Sequence, residues 1–117
     1  MQLASSARRG ALVVAPAGRI DHASAEAFAA ALQPHLDRCK AGVDALIVDM
    51  SGVEYISSVG LRALMVASKQ AEAQAGRIAI AALSPMVREV FEISRFDMVF
   101  RIYPSLDDAL EAEGAGG

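Results

Sequence analysis

The feature that most constrains this sequence is the run Ala45-Leu46-Ile47-Val48-Asp49-Met50, apolar at every position but one and followed by the polar turn residues Ser51-Gly52. Successive side chains of a strand point to opposite faces, so a strand reads as continuously apolar only when both faces are covered. The segment therefore belongs at the centre of a sheet with other elements above and below it. Gly42, Gly60 and Gly76 punctuate the chain between apolar segments whose period alternates between strand-like and helix-like. That alternation predicts an α/β fold in the order β, α, β, α, β, α, β, α.

Individual elements follow from local chemistry. Ala11-Leu12-Val13-Val14-Ala15 is a compact apolar strand ended by Pro16 and Gly18, and the residues before it are a candidate edge strand. Ser24 is placed to cap a first helix, with Glu26 in its first turn and Phe28, Leu32, Leu36 and Cys39 on one face. Pro34 cannot donate to the carbonyl of Ala30, which predicts a kink or two short pieces. A second helix from about Ser58 to Ala75 turns Leu61, Leu64, Met65, Ser68 and Ala71 toward the sheet, and Gly76 closes it as a C′ glycine. Arg77 to Ala81 returns as a strand. Ser84-Pro85 opens a short helix with Val87, Val90 and Phe91 inward, Phe96 to Ile102 forms the last strand, and Ser105 with Asp108 caps a closing helix before a loose tail, 113–117.

With 117 residues the chain has room for one core and not two, so a single domain is expected, its core spanning about 11–110. No apolar run approaches the roughly 20 residues of a bilayer-crossing helix. Met1-Gln2-Leu3-Ala4-Ser5-Ser6 lacks the basic-then-apolar order of a signal peptide, which predicts a cytoplasmic protein with no membrane partner. A net charge of −3, with basic residues no denser than Arg8-Arg9, argues against nucleic acid as a partner. Aromatics at 5% without tryptophan leave no platform for stacking bases or sugars.

Catalytic chemistry finds few tools. A hydrolytic triad needs a nucleophile, a histidine base and an orienting acid, yet the only histidines are His22, in a turn, and His35, a half-exposed helix residue beside Pro34. Two distant histidines and one cysteine do not make a metal site, and Cys39 reads as a small buried hydrophobe. Asp49 lacks the acidic pair with which a phospho-acceptor aspartate holds Mg²⁺. Neither a P-loop nor a GxGxxG is present, so no enzyme activity, cofactor or metal is expected.

What remains is Ser57-Ser58-Val59-Gly60-Leu61-Arg62, where hydroxyls stand at the start of a helix. Serine is a favoured N-cap, and capping alone accounts for one of them. Two consecutive serines exceed what one cap requires, leaving a hydroxyl for solvent and for a kinase. A phosphate there adds about −1.5 to −2 charge, which a helix N-terminus tolerates without unfolding. The outward face of the same helix reads Val59, Arg62, Val66, Lys69 and Ala73; β-branched residues gain little on a purely solvated helix, so this stripe is a candidate docking surface with two cations for an acidic patch.

Four blocks in order now resemble one family: Gly18-Arg19-Ile20-Asp21; Leu46 through Val53; Tyr55-Ile56-Ser57-Ser58-Val59-Gly60-Leu61-Arg62; and Leu83-Ser84-Pro85 with Val87 through Ser94. Together they resemble the STAS domain family, in its anti-sigma factor antagonist branch, over about Ala11 to Leu110. The resemblance implies a mixed sheet of four to five strands with about four helices mainly on one side. It also implies partner switching: the unphosphorylated antagonist binds an anti-sigma factor that is also a GHKL-type serine kinase, phosphorylation releases it, and a PP2C-type phosphatase restores it. The family's phosphoserine maps onto Ser58, with Ser57, standing where relatives often carry Asp, as second choice. The acid of the family's Gly-x-Leu-Asp turn maps onto Asp21, at the partner surface, although a turn acid at a helix entry explains it equally. The expected partner-binding set is Asp21, Ser57, Ser58, Val59, Arg62, Val66 and Lys69. Other STAS domains serve as constitutive scaffolds or accessory subunits of transport or signalling complexes, and in that alternative Ser58 is only a cap.

Overall fold

The computed structural model describes residues 3–8, 10–40 and 45–114. Arg9 of the basic pair, the turn expected at Gly42 and the last three tail residues lie outside the described residues. Strands β1 (Ala4–Arg8), β2 (Ala11–Ala15) and β3 (Ala17–Ile20) precede helix α1 (Ala25–Leu36), and β4 (Ala45–Asp49) and β5 (Gly52–Ile56) precede α2 (Ser58–Ala73). There follow β6 (Ile78–Ala81), α3 (Pro85–Ile93), a 3-10 turn over Phe96–Met98, β7 (Arg101–Tyr103) and α4 (Leu106–Glu113).

The apolar run does occupy the middle of a five-stranded mixed sheet, ordered β1-β2-β4-β6-β7, in which only β1 runs antiparallel to its neighbour. Its alternate residues enter different cores. Leu46 and Val48, with Val14 and Ile80, meet Phe28 and Leu32 of α1, Leu64 of α2 and Phe91 of α3. Ile47, with Ala11, Val13 and Ala81, meets Ala109 and Leu110 of α4 on the opposite face. Covering both faces is what makes β4 apolar throughout. Three helices thus lie on one side and one on the other, in agreement with the expected α/β, STAS-like layering. Among the described residues no helix is long and apolar enough to cross a membrane.

The structure corrects the simple alternation in one respect that matters for function. The expected turn covered only Ser51-Gly52, and Gly52 to Ile56, with no strand assigned to it, forms one that pairs in parallel with the equally unexpected β3 as a separate two-stranded sheet. A bulge between Gly18 and Arg19 sets Arg19 opposite Tyr55 and Ile20 opposite Ile56. Residues expected to end as one long strand from Phe96 instead turn back: Arg95 adopts φ 62°, and the Phe96 and Phe100 rings come 6.1 and 6.3 Å from Phe91. Only Arg101–Tyr103 remains to pair with β6.

Helix ends show further differences. Helix α1 is one uninterrupted element rather than two, because Pro34 lies in its last turn, where one missing N–H ends little. Cys39 falls beyond that helix, yet it is buried and its thiol lies 3.1 Å from the Arg77 carbonyl; burial pushes the thiol pKa up. On α2, Ala67 is buried while Met65 and Ser68 are only half-buried. Its C-terminus is a Schellman motif in which Ala75, at φ 57°, takes the left-handed position expected for Gly76. Gly76 is needed for a different reason: a Cβ there would stand 2.3 Å from the Cys39 carbonyl oxygen.

Glu113 departs most from expectation, since it was placed in a loose tail and is only 1% exposed. Its carboxylate accepts from the Tyr103 hydroxyl at 2.5 Å and from Arg101 at 3.2 Å, with Arg77 3.5 Å away, tying α4 to β6 and β7. Both guanidiniums remain largely in water, so the ion pairs contribute little and the hydrogen bonding and packing of the buried carboxylate carry the effect. Glu113→Ala is expected to lower unfolding stability by about 1–3 kcal/mol, read from the urea midpoint at constant m; a loss under about 0.5 kcal/mol would show that α4 docks without this contact.

Candidate functional site

Two turns meet at one end of the β3–β5 sheet. Strand β5 runs into Ser57 and α2, and β3 runs into Asp21 through Ser24 and α1. The two are joined at their base by the Ser57 N–H, which donates to the Ile20 carbonyl at 2.8 Å. Helix α2 then presses down on this sheet end, because a Cβ on Gly60 would stand 2.7 Å from Ile20 Cγ2 and 2.9 Å from the Ile20 carbonyl oxygen. Gly60 therefore does not end an element, as its spacing suggested; it is buried in the first turn of α2 and permits the close approach.

The paired serines divide the labour. Ser57, half-buried and in extended backbone conformation, is the N-cap: its Oγ accepts from the Gly60 N–H at 3.3 Å, and its carbonyl accepts from Leu61. Ser58 is the first helical residue and is exposed. The cap is thus Ser57, not Ser58, which removes capping as the account of Ser58.

Across the junction, Asp21 organises its own turn. Its Oδ1 accepts from the Ala23 and Ser24 amides at 3.1 and 3.2 Å, while Oδ2 lies 3.6 Å from Arg19 Nε. Burial raises the pKa of this carboxyl, but the hydrogen bonds from Ser24 and Ala23 and the nearby Arg19 charge outweigh it and hold the group below the ordinary aspartate value. Ser24 precedes α1 without making the expected side-chain cap; its hydroxyl donates to the Arg19 carbonyl at 2.7 Å and accepts from the Asp21 N–H at 3.0 Å.

Beyond the serines, Val59, Arg62, Val66, Lys69 and Ala73 are all exposed, as their spacing predicted, with Val66 58% accessible. Val59, Arg62 and Val66 also edge an apolar groove of about 280 Å³ between α2 and α1, whose other wall includes Ala25, Glu26 and Ala29. At the far end the two helices are stitched by hydrogen bonds among Gln33, Asp37, Gln70 and Gln74. Lys69 lies on the exposed stripe but outside the groove. The α1 wall was missed in the sequence, where the only signal was alanine at 25 and 29, one helical turn apart. Arg19 was missed as well, since only the β3–β5 register brings it to the site.

Of the other chemistry-bearing residues only His22, inside the Asp21–Ser24 turn, belongs to this junction. His22 is exposed, His35 is half-buried, and among the described residues no three His, Cys, Asp or Glu side chains are grouped to hold a metal. Asp49 accepts from the Ser51 N–H in a turn at the end of β4.

The two serines are separable by stability. Ser57→Ala is expected to cost about 1 kcal/mol through loss of the cap, while Ser58→Ala stays within about 0.5 kcal/mol of wild type in chemical denaturation. Equal losses would contradict the division of roles.

Comparison with known proteins places this geometry. The STAS domain family model matches residues 2–109. BtrV of Bordetella bronchiseptica, an anti-sigma factor antagonist by name, is 34% identical over 112 residues, covering 96% of this chain and 94% of its own. The crystal structure of an anti-sigma factor antagonist from Mycobacterium paratuberculosis superposes with a TM-score of 0.85 at 29% identity, covering 96% of this chain and 92% of the other. The antagonist SpoIIAA shares the fold in its unphosphorylated form, with a TM-score of 0.75 at 21% identity over 95% of both chains. On these grounds the chain belongs to the STAS domain family, among the anti-sigma factor antagonists.

Proposed function

We propose that this protein binds an anti-sigma factor through the junction of the β3–α1 and β5–α2 turns and is released when that partner, acting as a GHKL-type serine kinase, phosphorylates Ser58. It acts in the cytoplasm as a kinase substrate rather than as an enzyme, and a PP2C-type phosphatase returns it to the binding form. The observation that carries this reading is the division between the serines: Ser57 is engaged as the N-cap, and Ser58 beside it is exposed on the first turn. That favours Ser58 over Ser57 as the acceptor.

The electrostatics suit a switch. The first N–H groups of a helix lack intrahelical acceptors and its N-terminus carries partial positive charge, so a dianion on Ser58 is tolerated by the fold. Arg62, one turn further along the exposed face, adds a cation on the same side. Once a partner covers this surface, a phosphate buried without matching basic groups costs about 2–5 kcal/mol, a loss of tens- to thousands-fold in affinity. Val59 and Val66 supply the apolar contact that unphosphorylated binding needs, with Arg62 and Lys69 facing acidic groups of the partner.

The test uses the purified protein with its cognate GHKL-type kinase and Mg-ATP. One phosphate is expected, on Ser58 by mass spectrometry; Ser58→Ala should bind the kinase like wild type and resist release by ATP, and Ser58→Asp should bind at least about tenfold more weakly. Equal binding of wild type and both variants would overturn the switch, and phosphate found on Ser57 would overturn the assignment.

A further inference from the structure

Arg19 belongs to neither serine nor groove, yet its side chain connects the two turns. It lies opposite Tyr55 across the β3–β5 pair, and its guanidinium carbon sits 4.5 Å from the centre of the Tyr55 ring. The same guanidinium places Nε 3.6 Å from Asp21 Oδ2, and the Arg19 carbonyl accepts from Ser24. Tyr55 stands two residues before Ser57 on β5, and Asp21 two residues after Arg19 at the end of β3. One cation therefore bridges the segment that leads to Ser58 and the turn that carries Asp21.

We infer that Arg19 is a positioning residue for partner recognition: braced on Tyr55, it holds the Asp21 carboxylate in the orientation in which the anti-sigma partner meets it beside Ser58. The inference rests on the reading of Asp21 and Ser58 as partner surface. An exposed ion pair is ordinarily weak because two mobile side chains must be fixed to make it. Here the ring beneath the guanidinium has already restricted Arg19, through a cation–π contact that water screens only in part. The carboxylate is likewise prepared from its other side, since the Ala23 and Ser24 amides hold Oδ1 while Arg19 addresses Oδ2. With both oxygens set before the partner arrives, less ordering remains to be done on binding. Without Arg19 the carboxylate keeps its turn amides, loses the partner of its second oxygen, and leaves an uncompensated negative charge beside Ser58.

A double-mutant cycle on the dissociation constant for the purified cognate kinase tests this, using Arg19→Ala, Asp21→Ala and the double variant, with thermal unfolding recorded for each. Arg19→Ala should weaken binding about five- to tenfold, Tyr55→Leu should reproduce part of that loss, and Arg19→Lys should restore part of it. In the Asp21→Ala background, removing Arg19 should cost nothing further. NMR titration of the Asp21 carboxyl should move upward in Arg19→Ala, a change that mere loss of stability would not produce. Wild-type affinity of Arg19→Ala, or losses that add independently of Asp21, would overturn the positioning role while Ser58→Asp still binds weakly. Should Ser58→Asp itself bind as wild type, the underlying reading fails instead.

Discussion

The site depends on one close approach: the first turn of α2 lies directly on the end of the β3–β5 pair, with no room for a Cβ at Gly60. Because the helix starts there, the Ser57 N–H reaches the Ile20 carbonyl and the Ser57 hydroxyl reaches back to the Gly60 N–H. Ser58, next in sequence, is carried outward. A single steric requirement therefore fixes the helix start, engages one hydroxyl and exposes the other.

The larger architecture holds this junction in place without taking part in its chemistry. The central strand anchors two cores, one under α1, α2 and α3 and one under α4, so that the sheet is covered on both faces. The glutamine network at the far end of α1 and α2 fixes one end of that helix pair, while small side chains leave the end nearer Ser58 open as an apolar groove. On the other face, Glu113 secures α4 to the sheet.

Much of this was legible in the sequence wherever local pattern and tertiary outcome agree. The continuous apolar run identified β4, and helical spacing gave the exposed stripe from Val59 to Ala73, because in both cases burial repeats with the period of the element. The β3–β5 pair was not legible: each strand is short, mixes buried with exposed residues, and is defined by parallel pairing with a partner more than thirty positions away. Arg19 and Gly60 were unreadable for the same reason, since their roles depend on that pairing. Glu113 was misplaced because it precedes a glycine-rich end, whereas its partners Arg77 and Arg101 lie 36 and 12 positions back. At the serines the sequence showed one hydroxyl more than a cap needs, and only the structure assigned Ser57 as the cap and Ser58 as the exposed one.

The central claim is that modification at Ser58 alters the surface and leaves the fold alone. The most direct measurement compares amide chemical shifts and hydrogen exchange of the protein before and after stoichiometric phosphorylation. The account predicts shift changes confined to the Asp21–Ser24 turn and the first turns of α2, with unchanged protection of β4 and β6. Loss of protection in those central strands, or shift changes spread through both cores, would contradict it.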